Sequence, residues 1–210
     1  MSRVQIHSEK YALASPEERR ARLAELERPH IAPLTRLVEE IRLEQGLGEE
    51  VPFFDPRDGG TDAQALFLLE APGPKARLTG FVSRDNPDPT ASNFLTLLTS
   101  AGIARHVSLL WNIVPWYIGS GKKIRAARLT DISEGARYLA RLLSILPKLQ
   151  VVALVGRKAQ VATSRVASLS NARIFHTLHP SNQVVTCWPE KRRQLQADLC
   201  RIREFLKSTH

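Results

Sequence analysis

Apolar and polar positions follow a helical period near the N-terminus, and short apolar runs alternate with helical segments after it. The stretch 15-SPEE-18 offers Ser as N-cap, Pro at the first helical position and Glu to complete a capping box. It predicts a helix to about Glu27. A second amphipathic helix is predicted to end near Gly46, with an apolar face of Leu34, Leu37, Val38 and Ile41. We expect residues 1–60 to be a helical extension packed on a main domain of residues 61–210.

Beyond this extension, four apolar runs are separated by segments with helical periodicity. The runs are 65-ALFLLEAPG-73, 107-VSLLWNIVPW-116, 151-VVALVG-156 and 172-ARIFHTLHP-180. The helical segments are 90–100 (capped by Thr90), 130–146, 157–169 and 189–207. Such alternation is typical of a parallel sheet covered by helices on both faces. The predicted fold class is therefore α/β: a three-layer α/β/α sandwich with a central four-stranded parallel sheet, plus the N-terminal helical extension.

Distinctive residues stand at the carboxyl ends of the predicted strands, where open α/β sheets bind ligands. These ends are 70-EAPG-73, 112-NIVPW-116, Gly156 and 179-HPS-181. The carboxamide of Asn112 offers a donor and an acceptor in one plane, which suits the edge of an amide-like ligand. It could equally satisfy a local backbone group. The pattern indicates a functional site at this edge of the sheet.

Three other candidate sites fit the sequence less well. The segment 119-GSGKK-123 is not a nucleotide-triphosphate loop, because the first glycine of that motif falls on Trp116 and its Ser/Thr position on Lys123. We interpret it as a flexible basic loop, with Lys122 and Lys123 able to face a phosphate backbone. His176 and His179 point to opposite faces of a strand, so no metal site is expected. Ser181 as an esterase nucleophile lacks the GxSxG turn.

The charge is unevenly distributed along the chain. Residues 1–60 hold nine Lys/Arg and twelve Asp/Glu, whereas residues 61–210 hold twenty-one and nine. A basic body attracts polyanions, since phosphates interact with Lys and Arg over long range. The alternative is a basic surface that serves only solubility.

Few signals point to a membrane, a disulfide or a cofactor. No apolar run approaches the roughly 18 residues that span a bilayer, and 1-MSRVQIHSEKY-11 does not resemble a signal peptide. Cys187 and Cys200 are too few for a zinc or iron–sulfur site, and two free thiols are expected. We expect a cytoplasmic, monomeric protein with no cofactor and no metal.

Taken together, these strand ends resemble the uracil-DNA glycosylase superfamily. The first motif of that family, of the form GEAPG, is similar to 69-LEAPG-73, and the Phe-containing loop that follows is similar to 80-GFV-82. The Asn-containing middle motif resembles 111-WNIVPW-116, and the strand ending in LG resembles 154-LVGRKAQVA-162. The last motif is 179-HPS-181. The resemblance covers roughly residues 65–206, with the motifs in the family's order.

The resemblance implies a role for each matching residue. Asn112 would hydrogen-bond the edge of a flipped base, and Phe81 would stack on it. His179 would donate to the base carbonyl as negative charge develops there. The backbone of Ala71, Pro72 and Gly73 would frame the pocket. Ser181, Asn182 and Gln183 would grip phosphates and enter the groove of single- or double-stranded DNA that carries a damaged base.

Two departures from the family pattern bear on the chemistry. Ala71 stands where several branches have a water-binding Asp or Asn, and Leu69 replaces the leading glycine. Glu70 is then the remaining carboxylate that could position water, or it could be structural. The chain thus resembles a cluster-free relative of the GEAPG branch, implying a monofunctional DNA glycosylase of base-excision repair, acting on uracil or another damaged base. A non-catalytic nucleic-acid-binding protein of the same fold is the alternative.

Overall fold

The structure, a computed structural model, describes residues 10–121 and 123–208. The strands are β1 (Phe53–Phe54), β2 (Ala65–Leu69), β3 (Phe81–Val82), β4 (Ser108–Asn112), β5 (Gly119–Ser120), β6 (Lys123–Ile124), β7 (Val151–Val155) and β8 (Arg173–Thr177). The α-helices are α1 (Pro16–Leu23), α2 (Ala32–Gln45), α3 (Pro74–Thr79), α4 (Pro89–Ser100), α5 (Leu129–Gly135), α6 (Leu139–Ser144), α7 (Arg157–Gln160), α8 (Thr163–Leu169) and α9 (Pro189–Ser208). A π-helical turn spans Gln183–Cys187. No helix of the described residues is long and apolar enough to cross a membrane.

The central sheet has four parallel strands in the order β4-β2-β7-β8. Strands β2, β4 and β7 consist of short apolar runs whose residues are almost all buried, as parallel strands covered on both faces require. Their register places Leu69 beside Asn112 at the carboxyl end of the sheet. The predicted four-stranded parallel sheet is confirmed.

Helices cover both faces of this sheet. On one face, Phe67 of β2 meets Phe94 of α4 edge to face, and Phe175 of β8 meets Phe205 of α9 in the same way. On the other face, α6 packs against both α8 and α2. The predicted three-layer α/β/α sandwich is therefore confirmed.

The N-terminal helices form largely as the sequence predicts. The side chain of Ser15 accepts hydrogen bonds from the N–H groups of Glu17 and Glu18, but α1 ends at Leu23 rather than at about Glu27. Helix α2 ends at Gly46 (φ +64°) and buries its apolar face in the same core as the sheet. The division of the chain at residue 60 remains a prediction.

Three predicted helices differ in detail. The cap of α4 is Asp88, whose side chain accepts from the Ala91 N–H, and not Thr90, because the helix already begins at Pro89. The segment 130–146 is broken into α5, a 3-10 turn and α6. The break follows Gly135, where a β-carbon would lie 2.3 Å from the carbonyl oxygen of Ile113, so the chain has turned inward to touch the end of β4. The segment 157–169 is likewise split into α7 and α8.

The segment 51–63 contributes to a buried ionic cluster. Arg22 pairs with Asp85 at 2.5 Å and with Asp55. Arg105 pairs with the same two aspartates and with Asp58, at 2.5–3.0 Å. Burial raises the pKa of Asp58 to about 6, against the opposing effect of nearby arginines. The cluster connects α1 to the loops around the sheet. Its members are Arg22, Arg84, Arg105, Asp55, Asp58 and Asp85.

Candidate active site at the carboxyl edge of the sheet

A cavity of about 470 Å³ opens at the carboxyl end of the sheet. Its walls come from the segment that follows β2, from the end of β4, from residues 124–126 and from the loop after β8. The volume lies within the range of small-molecule sites, and the lining is mostly apolar with a few polar groups. Among the predicted site residues, the structure brings Glu70, Ala71, Pro72, Gly73, Asn112 and His179 together here.

Asn112 is a buried polar residue in the lining of this cavity. It is the last residue of β4, only 4% exposed, and its Nδ2 atom has no hydrogen-bond partner among residues 10–121 and 123–208. An unsatisfied buried donor costs about 1–3 kcal/mol, so such groups are rare in folded proteins. Asn112 also lines the cavity, so its carboxamide stands beside the space that a ligand would occupy.

His179 lies across the cavity, two residues beyond the end of β8. Burial lowers the pKa of its imidazole, and the nearby Glu70 carboxylate only partly opposes this. The loop is tied to α4, because the Asn93 side chain donates to the carbonyl oxygen of Pro180 at 3.2 Å. His179 thus follows β8 on a loop that is tied to α4, in surroundings that favour the neutral imidazole.

Glu70 is held in place through its backbone and its side chain. Its Oε1 accepts from the Ala127 N–H at 2.6 Å, and its carbonyl oxygen accepts from the Val114 N–H at 3.0 Å. The carbonyl oxygen of Ala127 in turn accepts from Lys158 at 2.7 Å. The carboxylate is therefore positioned in the cavity with a structural bond to one of its oxygens.

Phe81 does not lie where the predicted stacking role requires. It is fully buried in a cluster with Leu13, Leu26 and Phe53, and it does not line the cavity. Successive side chains of a strand point to opposite faces, so in β3 it is Val82 that faces the cavity. The prediction for Phe81 needs correction: in this structure it has no surface on which a base could stack. The aromatic residue in the cavity wall is Phe94.

The predicted DNA-contacting residues lie outside the cavity lining. Ser181 lies two residues before the π-helical turn, and its carbonyl oxygen accepts from the Val185 N–H at 3.0 Å. Asn182 and Gln183 are exposed next to it, and Lys123 is exposed on β6. Lys122 lies outside the described residues. The phosphate-binding role of these side chains remains a prediction.

Several further side chains line the cavity that were not predicted as site residues from the sequence. Asp88, Ser83 and Asn86 come from the loop between β3 and α4, and Lys75 and Arg125 stand at the exposed rim. Burial raises the pKa of Asp88, although its hydrogen bond from the Ala91 N–H opposes the shift. The signal for Asp88 was available, since Asp before Pro is a strong helix start.

The other candidate residues lie outside the cavity lining. His176 is exposed on β8, where a ring nitrogen lies 2.9 Å from the Thr163 hydroxyl. Within residues 10–121 and 123–208, no group of three His, Cys, Asp or Glu side chains is placed to hold a metal ion. In the same part of the chain, Cys187 and Cys200 are both free and exposed.

Comparison with known proteins shows the family to which the chain belongs. Residues 56–200 match the sequence profile of the Uracil DNA glycosylase superfamily. The matched range is more than half of the chain. No curated protein matches the chain. The solution NMR structure of a candidate uracil DNA glycosylase from Methanosarcina acetivorans is similar at a TM-score of 0.46 and 14% identity, over 68% of this chain and 92% of that one.

Proposed function

Because the chain belongs to the uracil-DNA glycosylase superfamily, we propose that it is a monofunctional DNA glycosylase that removes a deaminated or damaged base, with uracil as the first candidate. The observation that carries this proposal is the buried carboxamide of Asn112 in the lining of the cavity. Uracil presents a carbonyl oxygen and an N–H side by side, and a carboxamide can pair with both. A site built around such a pair rejects bases that lack it, because its own polar groups would stay unpaired.

The cavity suits a base that has left the double helix. An enzyme that acts on a base must take it out of the stack, at a cost of a few kcal/mol that pocket contacts offset. The apolar wall that includes the half-buried Leu69, Ala71 and Pro74 replaces part of the lost stacking surface. Lys75 at the rim adds positive charge where the phosphate backbone would pass.

The chemistry we propose is hydrolysis of the bond between the base nitrogen and C1′ of the sugar. As that bond breaks, its electron pair goes to the base, whose carbonyl oxygen becomes negatively charged. His179 donates a hydrogen bond to this oxygen, as preorganised donors do in an oxyanion hole. A neutral imidazole is sufficient because it carries one N–H.

Glu70 is the carboxylate we assign to the water. A water oxygen forms the new bond to C1′, and one of its protons must be taken up as it attacks. Glu70 lines the cavity and is held by the Ala127 N–H, so it can act without a change of backbone. The abasic site keeps its sugar–phosphate chain, and no lyase step is proposed.

A second function is supported by Ala71. This residue lines the cavity where several branches of the family carry a polar side chain, and it cannot bind water through its methyl group. The same pocket could then hold a base in DNA without cleaving it. Such a protein would bind DNA with an affinity that falls as salt rises and would release no base.

The test is an end-labelled oligonucleotide that carries one uracil or one hypoxanthine, as single strand and as duplex, treated with protein and then with alkali. We expect cleavage at the lesion by the wild type and its loss in His179→Ala. The matched control is His176→Ala, which alters an exposed histidine away from the cavity and should keep full activity. Binding without cleavage of either lesion would favour the second function. Equal loss in both variants would overturn the role of His179.

A further inference from the structure

The hairpin formed by β5 and β6 carries an exposed apolar residue to the mouth of the cavity. Ile124, at the end of β6, is 43% exposed and lines the cavity together with Arg125 and Ala126. Of the large apolar side chains that are exposed in residues 10–121 and 123–208, only Ile124 lines the cavity. Its neighbours Lys123 and Arg125 are exposed and basic. The rim of the cavity thus presents an exposed apolar side chain between two basic ones.

The hairpin is held firmly on both sides of Ile124. The buried hydroxyl of Tyr117 lies 3.0 Å from the carbonyl oxygen of Gly121 and 2.9 Å from that of Lys123. On the other side, the guanidinium of Arg125 makes two hydrogen bonds to Asp131, at 2.6 and 2.8 Å. A β-branched side chain is also stiff about χ1. Ile124 is therefore presented on a supported backbone with few conformations to lose on binding.

The segment that follows His179 offers no comparable exposed side chain. In the segment that follows His179 and Pro180, the exposed residues Asn182, Gln183 and Thr186 are polar, and the hydroxyl of Thr186 donates to the Asn182 side chain at 3.0 Å. Val184 and Val185 are half-buried in the π-helical turn. From the sequence we expect residues 181–183 to enter the DNA groove. The exposed apolar side chain, however, is that of Ile124 on the hairpin.

We propose that Ile124 is a wedge that enters the base stack of duplex DNA where the flipped nucleotide has left it. This proposal rests on the proposed function. Proteins that distort DNA insert apolar side chains between base steps, which covers the surfaces exposed by unstacking. The gap left by a flipped base is such a surface, and a filled gap slows the return of the base. Lys123, next to Ile124, supplies positive charge near the strand backbone.

The proposed wedge should matter for duplex DNA and not for single-stranded DNA, unlike the groups that contact the base itself. In a duplex the base must be extracted from a stack and from its partner, whereas a single-stranded base is already largely free. Loss of the wedge should therefore slow base release from duplex DNA and leave release from single strands nearly unchanged.

The test is Ile124→Ala, compared with the wild type in single-turnover assays on one damaged oligonucleotide, as single strand and as duplex. We expect the duplex rate to fall about ten-fold and the single-strand rate to stay within about two-fold. The matched control is Leu129→Ala, at a 70% exposed residue nearby that does not line the cavity, which should change neither rate. An unchanged duplex rate in Ile124→Ala, or equal losses on both substrates, would overturn the wedge.

A second readout works without turnover. A 2-aminopurine placed beside the damaged base in the duplex brightens when it loses its stacking neighbour. We expect brightening on binding of wild type and Leu129→Ala, and little with Ile124→Ala. If the wild type releases no base from either substrate, the proposed glycosylase function fails while the fluorescence still decides the wedge.

Discussion

Gly156 and His179 touch at the carboxyl edge of the sheet: a β-carbon on Gly156 would lie 3.1 Å from the Cβ of His179. Gly156 follows β7 with φ +84° and ψ 158°, a conformation open essentially only to glycine. Its N–H donates to the carbonyl oxygen of Thr177 at 2.9 Å, which joins the end of β8 to the end of β7. The position of His179 is thus set partly by the absence of a side chain on the neighbouring strand.

Gly156→Ala should reduce turnover beyond its effect on stability. The added methyl group strains the backbone, at about 1–3 kcal/mol, and it also displaces His179 from the base. We expect kcat to fall at least about ten-fold at temperatures where the variant is folded. The control is Gly80→Ala, because Gly80 has φ +82° with nothing within 4 Å of its added carbon. It should lose stability and keep kcat, and equal kcat losses would contradict the contact with His179.

Asn112→Leu should lower base release without lowering the stability of the fold. The Nδ2 donor has no partner within the described part of the chain, so an apolar side chain of similar size removes an unsatisfied group. We expect base release to fall about 100-fold or more, while the midpoint of urea unfolding stays the same or rises. Binding to undamaged DNA should persist, since that binding depends on the backbone. A fall in stability that matches the fall in activity would show that Asn112 is structural.

The pH profile of turnover should distinguish a neutral His179 from a charged one. Burial lowers the pKa of His179 below the ordinary 6.5, so the ring is already neutral at pH 7 and loses no proton as the pH rises further. We therefore expect the single-turnover rate to stay flat between pH 7 and 8.5, as long as the damaged base itself does not titrate. A rate that falls about ten-fold per pH unit over this range would show that the imidazolium is the active form.

Glu70→Gln should test the water-positioning role without disturbing the loop. The amide oxygen of Gln can still accept from the Ala127 N–H, so the structural bond is kept while the ability to take a proton is lost. We expect unfolding to be unchanged and kcat to fall by about 10²-fold or more, with little change in DNA affinity. If Glu70→Gln keeps full activity and only Glu70→Ala is impaired, the residue has a structural role alone.

Removal of Arg22 should destabilise the whole fold. This side chain is fully buried between Asp55 and Asp85, and its loss would leave two carboxylates with less compensation. We expect Arg22→Ala to lower the free energy of unfolding by about 3–5 kcal/mol in urea titrations. Arg20→Ala, on the same helix but in an exposed pair with Glu17, should leave the unfolding midpoint unchanged. Similar midpoints for the two variants would mean that α1 contributes little to the fold.

The order of the elements and the location of the site could be predicted from the sequence. Apolar runs and helical periods predict the parallel sheet and its layers, because these patterns reflect burial along each element. The same rule places Glu70, Asn112 and His179 at one edge, since parallel strands end on the same side. The cavity that these residues share follows from the strand order, which periodicity does not encode.

Which side chains reach the cavity was decided by the tertiary structure. Phe81 and Val82 are neighbours in sequence, and only the placement of β3 sends Val82 into the cavity and Phe81 into a separate apolar cluster. The ionic cluster has the same origin, because its charges come from segments distant in the chain and look like surface residues locally. The partnerless Nδ2 of Asn112 and the exposed side chain of Ile124 also depend on what lies beside them. The pattern of residues determined what each element buries along its own axis, and three-dimensional packing decided what faces what.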